Sequence, residues 1–310
     1  MKKYIVLYIS FCFLSFIGKS QSNLNDGLNT YYNQSRQGQP VIDISKKLLK
    51  FNNDDLLFAI SNAVNDTSMD KRLALYKLLN FIGHETNKSS FKKQAIKQLI
   101  NGLSDRDGGI IGLNLQYITT FELKDFDTEL KYKISEQSKT PQPHYEMFIK
   151  ICGWLGNNDM VYEFRNMISE KKGDVKSRWA MRLAMARMGE PDMVDYCLGR
   201  IQKIPVGDDM VYEIVPDIIY TRQKVLFDYL LKVIESDAKN CSSPNPASNT
   251  KFICAFRIIE QLAPYIEDFP VSADTSGDLK EKNYDKALTD VRKWIIANRE
   301  TYKIRESVYY

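Results

Sequence analysis

An all-α fold of antiparallel helical hairpins stacked into an α-solenoid is the fold class this sequence predicts. Three observations carry it. Apolar residues recur at helical spacing from about residue 40 almost to the end, polar turn-forming breaks interrupt them at short intervals, and part of the pattern repeats every 33–34 residues. No stretch shows the sustained alternation of apolar and polar residues that marks a half-buried strand.

The chain opens with Lys2 and Lys3, then an apolar run from Tyr4 to Ile17 broken only by two serines, then Gly18-Lys19-Ser20. A short positive region, an apolar stretch too short to span a bilayer stably and small residues after it make a secretory signal peptide over residues 1–20. Cleavage after Ser20 would expose Gln21. The protein is therefore expected to be exported, to a periplasm or the extracellular space. No later run reaches membrane-spanning length, so no integral membrane segment is expected in the mature chain. Residues 21–39, rich in Asn, Ser and Gln without an evident period, are read as a flexible leader.

From residue 40 the helical period is explicit. Leu56, Leu57, Ile60 and Val64 form one stripe, and Leu75, Leu78 and Leu79 belong to another. The breaks carry turn and cap chemistry, as in Asn65-Asp66-Thr67-Ser68, Ser104-Asp105-Arg106-Asp107-Gly108-Gly109 and Gly156-Asn157-Asn158-Asp159. Helices joined by connections this short fold back on their neighbours. The repeat is clearest between Gly156-Asn157-Asn158-Asp159-Met160-Val161 and Gly189-Glu190-Pro191-Asp192-Met193-Val194, where Gly, Asp, Met and Val coincide at an offset of 33. In that register Phe164 faces Cys197 and Ile168 faces Ile201. A further step of 33 puts Ile201 on Ile234, Leu198 on Leu231 and Val194 on Phe227. The identical pentapeptides Asp159–Glu163 and Asp209–Glu213 lie 50 residues apart, out of register, and are read as coincidence.

The segment Ser177 to Ile204 (SRWAMRLAMARMGEPDMVDYCLGRIQKI) resembles HEAT-type repeats, particularly the short lyase-type variety. An Arg/Ala-rich first helix runs into a Met-Gly turn with an acidic residue and Pro, and an apolar second helix follows. Tyr145 to Ile168 is similar but lacks the Pro, and Pro216 stands where many such units carry a kinking proline. The likeness covers residues 145–204. It implies that the second helices line a concave surface, and with them Tyr162, Arg165, Tyr196, Arg200 and Tyr229. Tyr and Arg are the types enriched at binding hot spots; alternatively these tyrosines only rim the core with wet hydroxyls. A lone hairpin buries too little to offset its ordering entropy, so such units must share faces. One continuous domain over residues 40–304 is expected, with a capping helix from Tyr284 towards Tyr302 and a C-terminal tail at 305–310. The loops at 240–250 and 269–277 read as insertions between helices.

Four cysteines follow the leader: Cys152, Cys197, Cys241 and Cys254. The first two sit at apolar helix positions and read as buried thiols. Cys241 and Cys254 flank a Ser/Pro/Asn-rich loop and are either bridged, in an oxidising compartment, or two free thiols.

Composition bounds the chemistry. With 43 basic and 39 acidic residues interleaved and a net charge of +4, there is no concentrated basic stripe, and no nucleic-acid partner is expected. His84-Glu85 begins like a zinc-binding HExxH, but Lys88 stands at the second ligand position. His84 reads as a solvated turn residue and His144 as a helix-start residue. Asp105-Arg106-Asp107-Gly108 resembles the start of a calcium loop, yet its twelfth position is Gln116, so the acidic pair reads as a helix-capping turn. The turn acids Asp125, Asp159, Asp192 and Asp209 read likewise as caps. The sequence holds no GxSxG, Walker-type GxxxxGK[ST] or CxxC motif. No catalytic residue, metal ligand or cofactor is assigned. The leading expectation is a non-enzymatic binding protein or scaffold of the cell envelope or secreted space, holding an unknown protein or peptide partner. The alternative is a carboxylate-dependent hydrolase of envelope glycans; an inhibitor or immunity-type binder of one toxin is a variant of the first.

Overall fold

The computed structural model describes residues 23–243, 247, 249–274, 276–306 and 309. The segment expected as a signal peptide lies outside the described residues. The chain is all-α in character, with a two-stranded hairpin of two residues per arm as its only named sheet among the described residues. The contacts of the described residues gather into two compact units, divided between Leu130 and Lys131.

The first unit corrects the reading of residues 21–39. Residues 23–36 form a helix (α1), with Leu24, Leu28 and Tyr31 buried. Those three residues lie at i, i+4 and i+7, one helical stripe among polar neighbours. The Tyr31 hydroxyl donates to the Ala74 carbonyl at 3.0 Å, tying this helix to the core. There follow α2 (Ile42–Leu48), α3 (Asn53–Ala63), α4 (Met69–Glu85), α5 (Ser89–Asn101) and α6 (Gly108–Ile118). The starts of α3, α4 and α6 are fixed by side-chain caps: Asn52 accepts from the backbone of Asp54 and Asp55, Ser68 from Lys71, and Asp107 from Ile110. α4 packs against α5 and α6, burying Leu75, Leu78, Leu79, Ile82, Ile96 and Leu99.

Asp105 does not cap α6; its partner is Arg72 of α4. The guanidinium donates through Nε and Nη2 to the two carboxylate oxygens at 2.8 and 3.0 Å, and both side chains are almost wholly buried. Arg72 and Arg106 also donate to the carbonyls of Asp66 and Thr67, so the α3–α4 and α5–α6 turns are clamped together. His84 lies in the last turn of α4, stacked on Phe121 at 4.4 Å and hydrogen-bonded to the Thr120 hydroxyl at 2.8 Å, which corrects its reading as a turn residue.

α7 (Thr128–Gln137) leads from the first unit into the second, which holds α8 (Tyr145–Leu155), α9 (Met160–Ser169), α10 (Val175–Arg187), α11 (Pro191–Ile201), α12 (Val215–Thr221), α13 (Lys224–Ile234), α14 (Ala255–Leu262) and α15 (Tyr284–Asn298). Here α8 packs on α10, α10 on α12 and α12 on α14, while α11 packs on α13 and α13 on α15. The closest approach is between α8 and its neighbours: a Cβ on Gly153 would lie 2.4 Å from the Tyr220 hydroxyl and 2.6 Å from Ala184 Cα. Gly156 and Gly189 end α8 and α10 in the left-handed region at φ 67° and 90°, which explains why glycine recurs at that offset. The repeated register is an apolar face: Phe164, Cys197, Ile201, Phe227, Leu231 and Ile234 are all buried.

Local sequence does not decide everything. The pentapeptide that opens α9 recurs at Asp209–Glu213, where Met210–Ile214 form a π-helical turn that passes into α12 with Pro216 at its second position. The proline thus lies where one helical winding yields to another and its missing N–H is least costly. Asp159 and Asp209 precede their helices without side-chain cap bonds, and Asp192 binds an arginine, so these acids are not the caps the spacing suggested. α15 has Leu288, Val291 and Ile295 buried on one face. Beyond it the chain turns back, with Ile304 bridged to Ile266 and the Arg305 amide donating to Tyr265.

Candidate functional site

The expected binding residues all fall in the second unit, but they do not act alike. Tyr196 and Arg200 of α11 meet two residues of α10 that the sequence did not single out, Trp179 and Arg182. The Arg182 guanidinium lies 4.8 Å from the centre of the Tyr196 ring. Tyr196 and Trp179 have ring centres 6.3 Å apart, and the Arg200 guanidinium lies 4.5 Å from the Trp179 ring. The order along this ladder is cation, ring, ring, cation, a geometry in which the negative ring faces stabilise both guanidinium groups. Tyr196 and Arg200 are exposed and Trp179 half-buried. Arg182 and Arg200 enter none of the ion pairs among the described residues.

The other three are placed differently. Arg165 is engaged by acids of the next hairpin, donating to both oxygens of Asp192 at 2.6 and 2.7 Å and to Glu190 at 2.7 Å. It joins α9 to the start of α11. Tyr162 is 69% exposed. Tyr229 of α13 is half-buried, and burial raises its pKa.

A second feature of the same unit was not legible in the sequence. A cavity of about 600 Å³ opens between the π-helical turn, α8, α12, α14, the loop around 273–278 and the returning tail. Three cationic side chains (Lys150, Arg222, Arg257) and four carboxylates (Asp217, Glu260, Asp274, Asp278) line it, with Tyr212, Tyr220, Tyr265 and Tyr309. Asp217 accepts from Lys150 Nζ and from Trp179 Nε1, each at 2.6 Å, so a hydrogen bond links the ladder to a residue of the cavity. Glu260, almost fully buried, accepts from Arg257 at 2.7 Å and from the Tyr284 hydroxyl at 2.5 Å. Asp274 accepts from the Ser276 hydroxyl and amide, which hold its pKa below the usual carboxylate range, with Lys282 at 3.7 Å adding to the effect. Asp278 lies 3.9 Å from Arg257.

Arg222 ends α12 in the left-handed conformation at φ 55°, which turns its side chain onto Tyr265 at 4.0 Å from the ring centre. It donates to the carbonyls of Ile219, Arg305 and Tyr309. Burial first, then the neighbouring Arg187 charge, push its pKa down to about 10. Such partners suit a residue that fixes the tail rather than one that moves a proton.

Cys241 and Cys254 form a disulfide, which closes the loop carried by the hairpin of β1 (Cys241–Ser242) and β2 (Lys251–Phe252). Cys152 and Cys197 are buried free thiols whose pKa values burial raises to about 12, far from a reactive thiolate. Among the described residues no helix is long and apolar enough to cross a membrane. Compared with protein-family models, curated proteins and solved structures, the chain has no significant match.

Proposed function

We propose that this chain is an exported, non-enzymatic binding protein whose second unit is a HEAT-like stack and whose α10–α11 face holds an acidic segment of a protein partner. The ladder of Arg182, Tyr196, Trp179 and Arg200 carries the reading. It combines the side chains most often found at binding hot spots with two guanidinium groups that have no carboxylate of their own among the described residues. A partner's Asp or Glu would complete the charge pairing, and its apolar side chains would cover the rings.

The serial packing of α8, α10, α12 and α14, with α11, α13 and α15 beside them, supports the repeat reading. The disulfide supports export, since such bonds persist in oxidising compartments. The glycan-hydrolase alternative is weakened by the state of the cavity carboxylates. A general acid needs a carboxyl group kept protonated near neutral pH, by burial away from cations. Here Asp217 and Glu260 each sit against a cation, and Asp274 is held low.

The test is a titration of the folded chain with decapeptides carrying alternating Glu and Leu, against the same peptides with Lys in place of Glu. Tighter binding of the acidic peptide, weakened by salt and lost in the double variant Arg182→Glu, Arg200→Glu, is the expected result. Equal binding of the two peptides, or binding unaffected by the double variant, contradicts the proposal.

A further inference from the structure

The cavity at the π-helical turn has a chemistry unlike that of the ladder. Its volume of about 600 Å³ lies inside the range typical of small-ligand sites, about 300–1,000 Å³. Two ion pairs on its wall are internal to the protein: Lys150 holds Asp217 at 2.6 Å and Arg257 holds Glu260 at 2.7 Å. An ionic ligand that competed for either pair would leave a charge uncompensated in a partly buried site. An apolar ligand would strip water from the carboxylates and offer no hydrogen bond in return. A neutral, hydroxyl-rich ligand does neither, because each hydroxyl both donates and accepts and can use the lone pairs and N–H groups that the ion pairs leave over.

One further observation agrees. Tyr212, half exposed, supplies a ring face against which the C–H face of a pyranose can pack, whereas Tyr220 and Tyr309 are buried and Arg222 covers the ring of Tyr265. We infer that this cavity is a saccharide-binding site for a neutral oligosaccharide, with Tyr212 as the stacking platform and the Lys150–Asp217 and Arg257–Glu260 pairs as hydroxyl partners. None of the four ladder residues lines the cavity, although Asp217 of the cavity accepts from Trp179 of the ladder, so the chain would tie a partner protein to a glycan.

The experiment is calorimetric titration of the folded full chain with maltotriose, cellotriose and triacetylchitotriose, with trigalacturonate and trilysine as charged comparators. At least one neutral trisaccharide is expected to bind with Kd below about 1 mM, a modest affinity for a ligand of that size. Its affinity should change less than about twofold between low and high salt, because no net charge is exchanged. Tyr212→Ala should weaken it about tenfold through loss of the ring contact. Asp278→Asn, at an exposed side chain, serves as a second variant that leaves the core intact and should weaken it as well. Failure of all three neutral sugars at millimolar concentration, tighter binding of either charged comparator, or indifference to both variants overturns the inference. The double variant Arg182→Glu, Arg200→Glu should leave sugar binding unchanged, so loss of the peptide-binding reading and loss of this one are separate outcomes.

Discussion

At the scale of single residues, one buried ion pair, Arg72–Asp105, ties two turns of the first unit together. Asp105 is pushed up by burial, but the Arg72 hydrogen bonds, the Asp107 amide and the Arg106 charge outweigh this and leave its pKa lowered. A carboxylate whose folded pKa is depressed contributes stability that is present above its unfolded value and is lost as pH falls through the folded value. Urea unfolding below about pH 5 should therefore show stability falling with acid, and Asp105→Asn should flatten that slope. Arg72→Ala leaves Asp105 buried without its counter-charge, and should cost about 3–5 kcal/mol in the same measurement at neutral pH. A cost below about 1 kcal/mol would mean that the pair is solvated as surface pairs are. The sequence could not announce this pair, since Arg72 lies in a helix and Asp105 in a turn 33 residues later. Periodicity reports which residues face inward, but not which charge is taken inside with them.

At the scale of elements, close packing and the crosslink make separate predictions. Gly153 lies where α8, α10 and α12 come closest, and Gly153→Ala would push a methyl group into Ala184 backbone and the Tyr220 hydroxyl. Thermal unfolding should show a loss of about 1–3 kcal/mol, the range for overpacked cores. An unchanged melting temperature would mean that the helices can part without cost. The Cys241–Cys254 bond closes a loop with a sequence separation of 13. Replacing both cysteines by serine should destabilise the second unit by about 2–4 kcal/mol, with the region from β1 to α14 exchanging its amide hydrogens first. Helix existence was legible because the apolar stripes are long. The helix at 23–36 was missed because Leu24, Leu28 and Tyr31 are the stripe's main apolar members among Asn, Ser and Gln, and composition outweighed period. The π-helical turn was illegible for a sharper reason: the same five residues open an ordinary helix at Asp159–Glu163, so its winding is imposed by what packs on it.

At the scale of the whole molecule, two units each have a core of their own, and the aromatic–arginine ladder and the cavity on which the proposals rest lie in the second. Part of that was legible. Tyr196 and Arg200 were singled out because they flank the apolar stripe of α11, and the structure sets them against the rings and guanidinium of Trp179 and Arg182. Their partners Trp179 and Arg182, spaced i and i+3 on α10, carried a signal of the same kind. Arg165 sits at an equally suggestive position but is engaged by Asp192 and Glu190. The cavity was beyond sequence reasoning because its charged and aromatic residues come from helices, a loop and the tail, and meet only through folding.

The most direct measurement is site-specific photo-crosslinking in cells that export the chain, with a benzophenone amino acid at Tyr196 and, as a comparison, at exposed Val225 of α13. A discrete adduct from position 196 that is absent from position 225 and abolished by Arg182→Glu with Arg200→Glu is the expected result. Equal adducts from both positions, or an adduct from position 196 that survives the double charge reversal, would contradict a partner held on the α10–α11 face.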